Sequence, residues 1–282
     1  MKTLLNKIIV YDSNCRICTG LKDKLLQFTS IEEERVVAFA LLNDELIRKI
    51  DSDRFKNAMA LIDVQNGDTI YGSQAIAYIF STQNQLIEKL LSLKQAYRLF
   101  NFLYQTLAYN RYIIATPKSQ FACDCFPDKV IRFRIAYILQ ATSLSVFLTC
   151  IFGISLKGFF PALSNGQAAM QMLLMAGTGW VIQIALAAIC LRDKAIDYIG
   201  HLASIMVVGL LILVPWMLIH FIAGVNLYYL PLISVLFSSW YMLKMHLHRI
   251  NYLQLPKWLS VSWFILLQIT AVCWVYYFHF NN

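Results

Sequence analysis

Beyond Arg134 the chain nearly stops using charge: residues 135–282 hold only eight charged side chains, Lys157, Arg192, Asp193, Lys194, Asp197, Lys244, Arg249 and Lys257. Segments that apolar cannot all be covered by one another in a unit of this size, so the sequence predicts that lipid solvates them. The first 134 residues are ordinary by contrast, with 18 of the 24 Lys and Arg and 14 of the 16 Asp and Glu. The chain therefore divides into a small water-soluble part and a membrane part.

Five stretches come close to the roughly 20 apolar residues that a bilayer core asks of a helix. They are 135–155, 168–191, 199–223, 227–243 and 259–278. The fourth is the shortest, and its separation from the third rests on Ala223, Gly224, Val225 and Asn226. Pro215 falls inside the third, where neighbouring helices can satisfy the carbonyl it frees. Lys and Arg choose one side. If the N-terminal part is cytoplasmic, the inner flanks hold Lys129, Arg132, Arg134, Arg192, Lys194, Lys244, Arg249 and Lys257, and the outer loops hold Lys157 alone. The expectation is a multi-pass protein of the cell membrane with a cytoplasmic N-terminal domain and its C-terminus outside. Leu4-Leu5 is too short for the apolar region of a secretory signal, which agrees with that side.

Composition also narrows function. The net charge of +8 splits as +4 on each side of residue 135, so it reads as topology signal and implies no nucleic acid partner. No acidic residue lies deep in a span, which argues against an ion-coupled transporter.

The chemistry concentrates at Asp12-Ser13-Asn14-Cys15-Arg16-Ile17-Cys18. The apolar run Ile8-Ile9-Val10-Tyr11 precedes it and a helical pattern through Phe28 follows, the strand-turn-helix setting in which a CxxC carries redox chemistry. Cys15 is placed at the helix N-terminus, where free backbone N–H groups and the helix dipole favour a thiolate, and Arg16 adds charge. Cys18, one turn later on the same face, is the resolving thiol. Asp12 is either a base or pKa tuner for Cys18, or a cap for the turn. In a reducing cytoplasm the pair rests as a dithiol.

The rest of the soluble part reads as a strand at 7–12, a helix at 17–28, a strand at 35–40, a helix at 44–50 and a strand at 58–64. Asn66-Gly67 is a hairpin signal that pairs 69–72 back on the preceding strand, and Ser73 caps a helix through Phe80. Leu86, Leu90, Leu93, Tyr97, Phe100, Tyr104 and Leu107 recur at helical spacing after that. This is the element order of a thioredoxin-like fold. The first proline is Pro117, however, so the cis-proline that thioredoxins hold beside their cysteines has no counterpart.

The sequence resembles the DCC family of thiol-disulfide oxidoreductases, named for the Asp-x-x-Cys-x-x-Cys formed here by Asp12, Cys15 and Cys18. The strand and hairpin Ala60-Leu61-Ile62-Asp63-Val64 with Gly67, the following Tyr71-Gly72-Ser73-Gln74-Ala75, and Tyr109-Asn110-Arg111-Tyr112 carry the likeness further. It covers most of residues 7–126, and Ser13 stands where the family usually has Gly. The resemblance implies thiol-disulfide exchange with a disulfide-containing substrate or a dedicated redox partner protein, and no cofactor.

The expected architecture is an α/β thioredoxin-like domain at 1–126, a basic juxtamembrane linker at 127–134 and an all-α membrane bundle at 135–282. The alternative is a non-catalytic membrane protein whose cysteine-rich head binds zinc or senses redox state. Cys123 and Cys125 would supply the second ligand pair, or would relay electrons, or are unreactive thiols. Cys150, Cys190 and Cys273 sit singly in separate spans and read as packing residues. His201 and His220 lie toward opposite ends of one span, too far apart to share a metal, and His246 and His248 read as headgroup contacts.

Overall fold

The computed structural model describes residues 4–29, 31–117, 125–159, 163–224, 227 and 229–281. The chain separates into two units, 1–137 and 138–282, each with its own core.

In the first unit, strand β1 (Lys7–Tyr11) leads into helix α1 (Arg16–Phe28), and β2 (Val36–Ala38) returns parallel to β1. Two short helices, α2 (Asp44–Ile47) and α3 (Ser52–Phe55), precede the hairpin of β3 (Ala60–Asp63) and β4 (Thr69–Tyr71). The four strands lie in the order β2-β1-β3-β4, with β3 antiparallel to both its neighbours. Period-two alternation builds both layers. Ile9 and Leu61 face α1 and α4 (Gly72–Gln83), packing with Leu25, Ala75 and Ile79. Val10, Ala60 and Ile62 face the other way, against Ile50, Phe55 and Cys125. The small mixed sheet and its helices are therefore as expected.

The hairpin forms where Asn66-Gly67 placed it, but as a loop organised by Asp63. The Asp63 carboxylate accepts from the backbone N–H of Gln65 and Asn66, and Gly67 turns the chain at φ +78°. Lys7 pairs with the same carboxylate from the neighbouring strand. Ser73 does not cap α4. The helix starts one residue earlier, and the buried Ser73 hydroxyl donates to Asn101 Oδ1 at 2.6 Å instead. Gly72 has φ +62°, and a Cβ there would stand 3.0 Å from the Tyr104 ring. This lets α6 (Lys94–Ile114), which follows α5 (Gln85–Ser92), lie close over the hairpin.

In the second unit, α8 (Asn165–Leu191), α9 (Ala195–Ala223), α10 (Tyr229–Tyr252) and α11 (Trp258–Asn281) follow α7 (Ile131–Ser155), which the unit boundary cuts near its start. Glycines permit close approach: Gly179 of α8 lies against Leu267 of α11, and Gly209 of α9 lies under Met242 of α10. Three helical stretches among the described residues are long and apolar enough to cross a membrane: 131–159, 165–223 and 258–280. The second holds both α8 and α9, divided at Arg192–Lys194. The expected fourth span, which falls in α10, does not qualify. Ser238, Ser239, Lys244, His246, His248 and Arg249 make that helix too polar, and three of these, Ser238, His246 and Arg249, are buried.

The polar side chains of this unit meet in a network that the sequence did not reveal. Gln183 Nε2 donates to the Tyr198 hydroxyl at 2.7 Å. That hydroxyl lies 3.0 Å from His246 Nε2, whose Nδ1 is 2.8 Å from Ser260 Oγ. The Arg249 guanidinium approaches His201 Nδ1 at 2.7 Å. His246 is therefore an interior residue and not a headgroup contact. Cys190 and Cys273 are exposed on the chain's surface and Cys150 is half-buried, so packing within the chain does not explain the first two.

Candidate active site

Strand β1 delivers the chain to a tight turn. Asp12, buried, accepts from the Asn14 backbone N–H through Oδ1 at 2.9 Å, and its carbonyl accepts from Cys15 N–H at 3.3 Å. The turn places Cys15, in extended conformation, at the N-cap of α1. Its Sγ accepts from the Cys18 backbone N–H at 3.1 Å, one of the donors a helix start leaves unpaired. The expected cap position of Cys15 is thus observed, while its access is not what an attacking thiol at a helix tip suggests. Cys15 is 0% exposed, and Cys18 is partly exposed.

Helix α6 supplies the rest of the site from about a hundred residues away. The Tyr112 hydroxyl donates to Asp12 Oδ2 at 2.8 Å. Arg111 Nη2 lies 3.6 Å from the same oxygen and donates to the Cys125 carbonyl at 2.5 Å. Arg111 Nε has no partner among the described residues, so a buried guanidinium keeps an unspent proton beside the dithiol. Tyr104, also on α6, accepts from the Met59 N–H at 3.4 Å, in the turn entering β3. No cis peptide bond occurs among the described residues, and Ala58 and Met59 stand before β3.

The electrostatics separate the two thiols. Cys15 is pushed below an ordinary cysteine by the hydrogen bond from the Cys18 side chain, with further help from the Cys18 backbone N–H and Arg111; burial and the Asp12 charge oppose this. Cys18 is pushed well above, because it donates to Cys15 and is largely withdrawn from solvent. Two groups whose environments drive their acidities apart are suited to a thiolate and a proton-holding partner. The Tyr104 phenol is also pushed up, chiefly by burial and then by the nearby thiols.

Asp12 meets the cap role directly, and both its oxygens are engaged. Arg111 and Tyr112 were visible in the sequence only as part of a resemblance, with no role attached. Cys123 lies outside the described residues. Cys125 is buried and disulfide-bonded, so in this structure it is no thiolate ligand. Asp12, Cys15 and Cys18 bring one ligand atom each within 4.8 Å of one another, a set that could hold a metal ion.

The chain thus joins a pair of thiols at the start of the helix after β1, backed by a buried Arg–Asp pair, to a helical region with stretches long and apolar enough to cross a membrane. The family model described as DCC1-like thiol-disulfide oxidoreductase matches residues 9–116 of this chain. Comparison with curated proteins and with solved structures gives no match.

Proposed function

We propose that the chain is a membrane-anchored thiol-disulfide oxidoreductase with a cytoplasm-facing, thioredoxin-like head. The observation that carries this reading is Cys15 Sγ at the N-cap of α1, hydrogen-bonded by Cys18 N–H, with the Arg111 guanidinium behind it. The Cys15 thiolate attacks a substrate disulfide and forms a mixed disulfide, expelling one substrate sulfur as thiolate. Cys18 then gives up its proton and attacks Cys15 Sγ, which releases the second substrate sulfur and leaves a Cys15–Cys18 disulfide. Asp12 anchors the turn and the guanidinium. The sheet order and the position of the dithiol support the thioredoxin-like assignment.

The Lys and Arg bias of the loops supports an inner N-terminus and an outer C-terminus, with α7 to α11 as five crossings. On this reading α10 crosses despite its polarity because its polar groups face the bundle interior, as buried Ser238, His246 and Arg249 do. The test of the chemistry is turnover of a small disulfide by the reduced full chain. Cys15→Ser should abolish it, and Cys18→Ser should stall at a mixed disulfide. Turnover by Cys15→Ser equal to wild type would sink the assignment.

A zinc-binding head has one observation in its favour, the close Asp12, Cys15 and Cys18 ligand atoms. Against it, the Asp12 carboxylate already serves Asn14, Tyr112 and Arg111, and a second cation would sit beside a buried guanidinium. Metal content of the purified protein separates the two.

A further inference from the structure

One side of helix α6 is committed to its own unit. The Tyr104 hydroxyl accepts from the Met59 N–H, Asn101 Oδ1 accepts from Ser73, and Arg111 and Tyr112 hold Asp12. Another side is apolar and open. Leu99, Leu103 and Leu107 recur every fourth residue with Phe102 beside them, and all four are exposed, from 38% at Phe102 to 60% at Leu99. A contiguous apolar face of this kind, edged by polar residues, marks a contact surface. Lys94 and Arg98, both exposed, continue the Phe102 row back toward the helix start. The same composition crosses Leu93 into α5, where Leu86 and Leu90 are exposed beside Lys89, and Glu88 is the sole acidic residue in 84–114.

The first turn of α7 fixes where this face lies. The buried Phe133 ring stacks on Tyr109 at 5.0 Å and meets Phe102 at 6.1 Å, and its carbonyl accepts from Asn110 Nδ2 at 2.9 Å. Leu103 and Leu107 thus belong to the stretch of α6 that α7 grips. Phe133 stands two residues before Ile135, about 3 Å of helix rise, and Ile135 opens the first apolar span. Ile131 and Ile135 are themselves exposed, and the Arg132 guanidinium lies over the Phe133 ring at 4.6 Å. The open face of α6 is therefore continuous, through Phe102 and Phe133, with the start of a helix long and apolar enough to cross a membrane.

Resting on the reading of α7 as a membrane crossing, we infer that the open face of α6 lies on the bilayer surface. Its leucines sit at the boundary of headgroups and acyl chains, and Lys94 and Arg98 sit among lipid phosphates. Charge selects this occupant over a second copy of the chain. A two-fold contact would bring the patch against itself and set Lys94 and Arg98 near their own equivalents, with no carboxylate in the patch to meet them. An anionic lipid surface complements both residues. The helix whose inward residues hold the Asp12 turn then rests on lipid by its outward ones, which keeps the dithiol close to the membrane surface.

The experiment uses the full chain in vesicles of equimolar phosphatidylcholine and phosphatidylglycerol. The photoreactive residue p-benzoylphenylalanine replaces Leu103, or Leu107 as a second position should the first disturb folding. It also replaces Leu139, exposed in the first apolar stretch, and Glu32, exposed before β2 at the sheet edge away from the hairpin under α6. After irradiation, peptides carrying the mass of a phospholipid are read by mass spectrometry. The expected result is a lipid adduct at Leu103 and Leu107 comparable with that at Leu139, and none at Glu32. An adduct at Leu139 with none at either α6 position overturns the inference and leaves the membrane reading standing. Cross-linking of the α6 positions to protein in place of lipid, or lipid adducts at Glu32 equal to theirs, also overturns it. With no lipid adduct at Leu139 the membrane reading falls, and the inference falls with it.

Discussion

Replacing Arg111 by Gln removes a buried charge where α6 meets the dithiol turn. Both side chains of the Arg111–Asp12 pair are 5% exposed, so solvent cannot replace the lost partner. Breaking a buried pair by deleting one member costs about 3–5 kcal/mol. Asp12 keeps the Asn14 N–H and the Tyr112 hydroxyl, and Gln can still reach a carbonyl, so the lower end applies, about 3 kcal/mol. All six tryptophans lie at residue 180 or beyond, so intrinsic Trp fluorescence is blind to this unit. Native-state hydrogen exchange of β1 and β3 amides in the full chain reads it directly, and about 3 kcal/mol corresponds to roughly 150-fold faster exchange through global opening. Asp12→Asn combined with Arg111→Gln should restore part of the loss, because no uncompensated charge is then buried. Exchange less than about twofold faster in Arg111→Gln, or single effects that add within about 0.5 kcal/mol in the double variant, would refute the claim that the pair acts as a unit.

The pH profile of alkylation should separate the thiols: the Cys15 midpoint falls below that of an ordinary cysteine and the Cys18 midpoint above it, since the hydrogen bond between them favours the charge on Cys15 and the proton on Cys18. Because Cys15 is buried, the midpoint and not the absolute rate is the readout, and a lower midpoint for Cys18 would reverse the roles. Gly72→Ala should cost more than Gly67→Ala by urea denaturation followed through hydrogen exchange of β4: both have positive φ, worth about 1–2 kcal/mol for an L side chain, but Gly67 faces open space while Gly72 faces Tyr104 at 3.0 Å. Equal costs would mean that the Tyr104 ring moves aside freely. A reporter active only in the cytoplasm, fused after Asn282, should stay silent if α7 to α11 all cross, whereas a clear signal would remove one crossing, with α10 the first suspect because of its polarity.

What the sequence made legible was local. The β1 strand, the turn at Asp12, Cys15 at a helix start and the antiparallel partner of 58–64 all follow from patterns within a few residues, and they appear where expected. The parts that went unread depend on partners far along the chain. Tyr112 reaches Asp12 across 100 residues, and nothing in Tyr109-Asn110-Arg111-Tyr112 says which strand end it meets. Ser73 looked like a cap because Ser before an apolar run usually is one, but Asn101 on α6 takes its hydroxyl and the helix begins at Gly72. At α10 the apolar run 227–243 suggested a span, but the helix runs on through Lys244, His246 and Arg249, and no window over the sequence can see that His246 ends on Tyr198 and Ser260.

The last turn of α6 concentrates these long-range links. Asn110, Arg111, Tyr112 and Ile113 are consecutive and all buried, so this turn is enclosed on every side. Arg111 and Tyr112 hold Asp12, while Asn110 Nδ2 donates to Phe133 O at 2.9 Å and to Thr106 O at 2.7 Å, tying the turn to the start of α7. Tyr109 adds a stacked contact with Phe133 at 5.0 Å. A shift of α6 by one residue would turn each of these side chains by about 100° and break every link together. The position of the Asp12 turn, and with it the cap geometry of Cys15, therefore depends on the same few residues that anchor the chain segment entering the first apolar stretch. Disturbing Asn110 or Phe133 should reach the thiolate without touching either cysteine.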